Sequence, residues 1–224
     1  MTDTATSKDQ VDPFWARVRS ALGALRPIRQ DRQPAYGQAA IARRIGIKPK
    51  LGTLIEDQLQ AGWASAAARN VSLSLLVVEI DRATEYFSAY DQPETDDGVM
   101  TVMQTIANCL PRDGDLCLRL GRGGFVVVLP DLPALMARAL AGKIVDAVRR
   151  QSLSHRESHA GIVTVSLGLA VTNPRNGYDK KFFEAGAEAL KKAQRKGIGY
   201  IQAVDLRPAL DRKKKPSQRI LNAA

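Results

Sequence analysis

Leu116-Cys117-Leu118-Arg119-Leu120-Gly121-Arg122-Gly123-Gly124-Phe125-Val126-Val127-Val128-Leu129 holds two short apolar runs joined by a glycine-rich turn. Such runs around a Gly cluster read as a β-hairpin, because Gly supplies the positive φ that a tight reversal needs. Upstream, Ser72 to Asp81 is a mostly apolar Leu/Val run, the mark of a central strand buried on both faces, and it ends in Glu79 and Asp81. Apolar residues at helical spacing predict helices over Leu54 to Arg69, around Val99 to Leu110, over Leu132 to Arg150 and over Phe182 to Lys196. Two further strands are expected at Ile162 to Val171 and Ile198 to Val204. Helices and strands in this order predict an α+β domain with a mostly antiparallel central sheet flanked by helices.

The chain has 224 residues, 45% of them hydrophobic, enough for one medium domain with extensions. Its formal charge of +10 is unevenly spread. Residues 1–50 carry ten Lys/Arg against four Asp/Glu, residues 207–224 carry six against one, and the middle is close to neutral. Basic ends suit an acidic protein or an anionic membrane surface. The boundaries read from this are a basic N-terminal extension (1–44), a core domain (45–206) and a basic tail (207–224). In the extension, Phe14, Val18, Leu22 and Leu25 share one face of a short helix, and Arg26 to Gly37 reads as a linker. The two cysteines, Cys109 and Cys117, lack metal-ligand spacing and read as buried thiols in a reducing cytosol. With no run of eighteen apolar residues and no signal-peptide pattern at the start, a cytoplasmic protein is expected.

Four fragments in order resemble the GGDEF domain of diguanylate cyclases over about residues 45–205. They are Glu79-Ile80-Asp81 (family Asp-x-Asp), Arg119 to Phe125 (family Arg-x-Gly-Gly-Asp/Glu-Glu-Phe), Ser166-Leu167-Gly168-Leu169-Ala170 (family Ser-x-Gly-x-Ala) and Ala189 to Gly197 (family Ala-Leu-Tyr-x-Ala-Lys-x-x-Gly). The resemblance implies a GGDEF or nucleotide-cyclase-like fold and metal-dependent joining of two GTP molecules across a dimer. Magnesium-type ions take hard oxygen ligands, so that chemistry needs carboxylates. Here the first is Glu79, while Gly123 and Gly124 replace the acidic residues of the turn. The family's guanine-binding Asn falls at Phe87, its Asp partner at Asp97 if one residue is inserted, and its phosphate-gripping Lys and Arg at Gln194 and Ile198. The expectation is a domain that is not an enzyme and needs no catalytic magnesium. Asp81 and Gly168 are read as serving strand ends and turns, and Arg122 as a solvated hairpin tip.

The resemblance also implies a product-binding site, an Arg-x-x-Asp before the hairpin, and Arg112-Asp113-Gly114-Asp115 stands there. Arg112 offers a planar fork to phosphate or to the Hoogsteen edge of guanine, and Asp115 can accept from guanine N1 and N2. A basic residue from the helix after the hairpin, often on a neighbouring domain, completes the family's site, and the ungapped count lands on Lys143. The expected function is a cyclic di-GMP receptor that signals to a protein partner, as monomer or homodimer. The alternative is a ligand-independent interaction scaffold, with a residual diguanylate cyclase ranked behind it. Gln38 to Pro49 faintly suggests half of a helix-turn-helix, but no recognition helix follows, so nucleic acid is set aside.

Overall fold

The computed structural model describes residues 51–112 and 115–208. The expected N-terminal helix, the linker, the segment at 38–49, most of the basic tail, and Asp113 and Gly114 lie outside the described residues. The elements are α1 (Leu51–Ala68), β1 (Leu73–Ile80), α2 (Ala83–Ala89), α3 (Gln92–Cys109), β2 (Cys117–Leu120), β3 (Gly124–Pro130), α4 (Ala134–Arg150), β4 (Val165–Thr172), α5 (Lys181–Lys196) and β5 (Ile201–Asp205).

The sheet has the order β2-β3-β1-β4-β5. β1 lies at its centre, antiparallel to β3 on one side and to β4 on the other, with Glu79 opposite Gly124 and Ser166. β2 and β3 form the hairpin, Arg119 facing Phe125 across it, and Gly121 takes the positive φ of the turn at 65°. β5 joins the edge parallel to β4, so the sheet is mostly antiparallel, as the residue pattern predicts.

Period-2 alternation sorts the apolar run of β1 into two cores. Leu76, Val78 and Ile80 pack with Phe125, Val127 and Leu129 against Val102, Met103 and Ile106 of α3 and Ile144 and Val148 of α4. Leu73, Leu75 and Val77 face the other way, with Val126, toward Leu59 and Trp63 of α1 and Phe182 and Leu190 of α5. Trp63 anchors α1 by donating its indole N–H to the Asn176 carbonyl at 2.6 Å and meeting Tyr178 and Phe182 edge-on.

One short break changes the expected plan. Where one helix around Val99 to Leu110 is predicted, the chain makes two. Tyr90 is extended, and Asp91 then caps α3 by accepting from the Glu94 amide at 3.0 Å, with Pro93 in the first turn. Both cysteines are buried. Among the described residues no helix is long and apolar enough to cross a membrane.

Candidate functional site

Two regions carry the chemistry expected from the sequence: the loop that follows α3, and the carboxyl end of β1 beneath the hairpin tip.

Arg112 and Asp115 are tied to each other. The Arg112 backbone N–H donates to Asp115 Oδ2 at 3.1 Å, its Nε lies 3.2 Å from Oδ1, and the Asp115 amide donates back to the Arg112 carbonyl at 3.2 Å. Asp115 is buried, while Arg112 is 40% exposed and reaches the Pro130 carbonyl through Nη2. Both line a cavity of about 500 Å³ between α1 and the hairpin, with Gln58, Ser65 and Arg69 on its helical wall.

Arg69 is a residue the sequence reading misses. It stands at the end of α1, where Asn70 takes a left-handed φ of 52°, the Asn70 amide donates to Ala67 and the Val71 amide to Ala66. This paired closure is a Schellman-type cap, and it turns the chain so that Arg69 borders the cavity. Its guanidinium is half exposed and sits 3.6 Å from Asp131. Gly62 lets α1 come close, since a Cβ there would fall 2.6 Å from Val128 Cγ1.

Lys143 is placed elsewhere. It is an exposed residue of α4, absent from the cavity lining, and its ammonium donates to the Cys109 carbonyl at 3.5 Å. A cation at the C-terminus of α3 is favoured by the helix dipole. Within this chain the basic residue that lines the cavity with Arg112 and Asp115 is Arg69.

At the end of β1, Glu79 accepts from Gln194 Nε2 of α5 at 2.7 Å. Asp81 is buried and accepts from Thr164 Oγ1 at 2.7 Å, Ser166 Oγ at 2.6 Å and the Gly199 amide at 2.8 Å. It thus ties β1, the start of β4 and the turn before β5 together, the structural role read for it. Gly123 and Gly124 are buried beneath the tip. A Cβ at Gly124 would fall 2.6 Å from the Leu120 carbonyl oxygen, and one at Gly123 would fall 3.2 Å from Ala83 and from the Phe87 ring.

Asp97 is exposed on α3, and its carbonyl serves Thr101. Its neighbour Asp96 is the one that faces the hairpin, 4.0 Å from Arg119. The tip itself is laced by Arg119, which donates to the Gly121 and Arg122 carbonyls. Arg122 is not merely solvated: its guanidinium lies over the Phe87 ring, 4.2 Å from the centroid. At this end of the sheet Asp81 is engaged by three donors, and glycines stand at the turn. Among the described residues no three His, Cys, Asp or Glu side chains group to hold a metal ion.

Residues 53–199 match the family model described as diguanylate cyclase, GGDEF domain, so the chain belongs to that family. Among curated proteins it is 28% identical over 143 residues to the probable diguanylate cyclase DgcT of Escherichia coli K12, covering 63% of this chain and 31% of that protein. It is 31% identical over 130 residues to the diguanylate cyclase DgcM of the same organism, covering 58% and 30%. The chain thus spans about a third of the length of these relatives. The fold is also that of the GGDEF domain of DgcB from Caulobacter crescentus, solved in complex with c-di-GMP, at a TM-score of 0.58, 22% identity and coverage of 66% of this chain and 85% of that one.

These matches correct the expectation that the chain is not an enzyme. The family model is that of diguanylate cyclases, and curated relatives are named as such. Substitutions at Glu79, Gly123 and Gly124 change the ligands at one end of the sheet without taking the chain out of an enzyme family.

Proposed function

We propose that the chain is a cyclic di-GMP receptor that holds its ligand in the cavity lined by Arg112, Asp115 and Arg69. The observation that carries this reading is the meeting of two guanidinium groups and one buried carboxylate in a single cavity. Cyclic di-GMP presents two phosphodiester anions and two guanines. Guanidinium groups pair with phosphate or with guanine O6 and N7, and a carboxylate accepts from guanine N1 and N2. Arg112 is held in place through Nε and one Nη2 hydrogen, which leaves its remaining donors for a ligand. The solved DgcB domain, similar in fold, was crystallised with c-di-GMP, which agrees with this choice of ligand. A bound state recognised by a protein partner, with the basic termini adding electrostatic attraction, completes the receptor reading.

Calorimetric titration of cyclic di-GMP into the purified chain tests it. Micromolar binding is expected, weakened at least tenfold by Arg112→Ala and by Arg69→Ala, and changed less than threefold by Lys143→Ala. No heat at micromolar ligand, or Arg112→Ala binding as wild type does, would overturn the proposal.

A further inference from the structure

β5 ends the sheet: among the described residues it pairs with β4 and with no strand on its other side. The ladder fixes which of its backbone groups face outward. The Leu167 amide donates to the Tyr200 carbonyl and the Leu206 amide to the Val171 carbonyl, so in this parallel pairing Gln202 and Val204 also turn their groups to β4. Ile201 and Ala203 therefore present their N–H and C=O to the open side. The Ala203 carbonyl is met there by the side-chain amide of Gln202, at 3.2 Å. Between β5 and α5 lies a cavity of about 270 Å³, roomy because Ala185, Ala189 and Ala203 are small, and lined also by Glu188, Lys192 and Val204. Tyr200 and Leu206, flanking the strand, are exposed, and period-2 alternation puts them on the face of Val204.

Cations frame this edge. Lys192 borders the cavity, the Lys196 ammonium donates to Gln202 Oε1 at 2.7 Å, and Nη2 of Arg149, in the last turn of α4, reaches Gly199 just before the strand. Asp205 is held by Arg207 at 2.7 and 2.9 Å, which cancels its charge locally.

We infer that the open edge of β5 is a docking site for an extended acidic segment of a partner protein, added to the sheet as a further strand. Ile201 and Ala203 supply the backbone hydrogen bonds, with an incoming N–H taking the place of the Gln202 amide. A small apolar side chain of the segment enters the cavity against α5, and its carboxylates lie near Lys192, Lys196 and Arg149. The same cations select against a second copy of this chain. Pairing β5 with its like would bring Lys192 and Lys196 against the same residues, which is how lysines guard sheet edges, whereas an acidic strand meets no such repulsion. None of these residues lines the cavity of Arg112, so the proposal does not depend on the ligand assigned there.

The test is fluorescence anisotropy of a labelled peptide, a Thr-Val-Thr-Val core with two Glu at each end, titrated with the full chain at low salt. Saturable binding with a Kd of roughly 10–100 µM is expected, in keeping with a small transient interface. The same core flanked by Lys should bind about tenfold more weakly. Ala203→Pro removes an outward N–H and no bond of the ladder to β4, so the circular dichroism spectrum should stay native while binding falls about tenfold. Lys192→Glu combined with Lys196→Glu should reverse the preference, weakening the acidic peptide and admitting the basic one. No saturation by the acidic peptide up to millimolar chain, equal binding of the two peptides, or a charge-reversed pair that keeps the wild-type preference overturns the proposal. So does Ala203→Pro that keeps its native spectrum and binds as wild type does.

Discussion

Replacing Asp81 by Ala removes an acceptor that three segments share. In the folded chain the carboxylate takes hydrogen bonds from the Thr164 and Ser166 hydroxyls and from the Gly199 amide, at 2.6–2.8 Å, and is only 3% exposed. A hydrogen bond to a charged group contributes about 1.5–3 kcal/mol, so three give roughly 4.5–9 kcal/mol before the cost of burying the charge. The two hydroxyls can rotate toward other acceptors, whereas the Gly199 N–H cannot. The net loss for Asp81→Ala is therefore expected at about 3–5 kcal/mol, a fall in Tm of roughly 10 °C for a domain of this size. Asp81→Asn keeps the shape but turns an NH2 toward a donor, and should fall between the two. Urea unfolding followed by circular dichroism measures both. A loss under about 1 kcal/mol for Asp81→Ala, or strict additivity with Thr164→Ala and Ser166→Ala, would refute the idea that one carboxylate couples these segments.

Gly168→Ala places a Cβ in collision with the Gly186 carbonyl oxygen and the Leu190 amide of α5, so overpacking should cost about 3 kcal/mol or more; an unchanged Tm would contradict the contact. His155 is fully buried, and among the described residues neither ring nitrogen has a hydrogen-bond partner. Its replacement by Phe should accordingly leave stability unchanged or raise it by up to about 1 kcal/mol, and a clear loss in thermal unfolding would disprove that. The Glu85 carboxyl is held below its ordinary range by a hydrogen bond from its own backbone amide, opposed by burial and aided by Arg82. A depressed pKa gives stability that is present above the unfolded value and lost as pH falls through the folded one. Wild type should therefore exceed Glu85→Gln in Tm at pH 7, with the gap closing below pH 4; a gap that widens on acidification would reverse the sign.

The strands were legible because a buried sheet demands apolar runs, and the glycine cluster located the hairpin turn. The break between α2 and α3 was written locally in Asp91 and Pro93, but α2 is too short to show a period, so the apolar spacing pointed only to the longer helix. Asp96 and Asp97 differ by about 100° around α3, and counting along the chain with an inserted residue chose the one that faces solvent. Arg112 and Asp115 sit three apart in one turn and could be read together. Arg69 could not, because it reaches that turn only through the packing of α1 on the hairpin. Lys143 shows the converse: the count found a basic residue, and the fold set it at the end of α3. The parallel pairing of β5 with β4 likewise depends on where α5 returns the chain.

The close approach of Gly168 to Gly186 leaves no side chain between β4 and α5, so backbone bears directly on backbone there. Side chains can yield by changing rotamer, but backbone in contact cannot. That side of the domain must consequently move as a single piece, carrying Gln194 and Glu79 with it. On the same face of the sheet, α1 rests at Gly62 on the tip of a valine side chain, and Trp63 beside it ties the helix to Asn176. Arg69 and Arg112 line the cavity beside this contact, so a ligand filling it would press on side chains rather than on locked backbone.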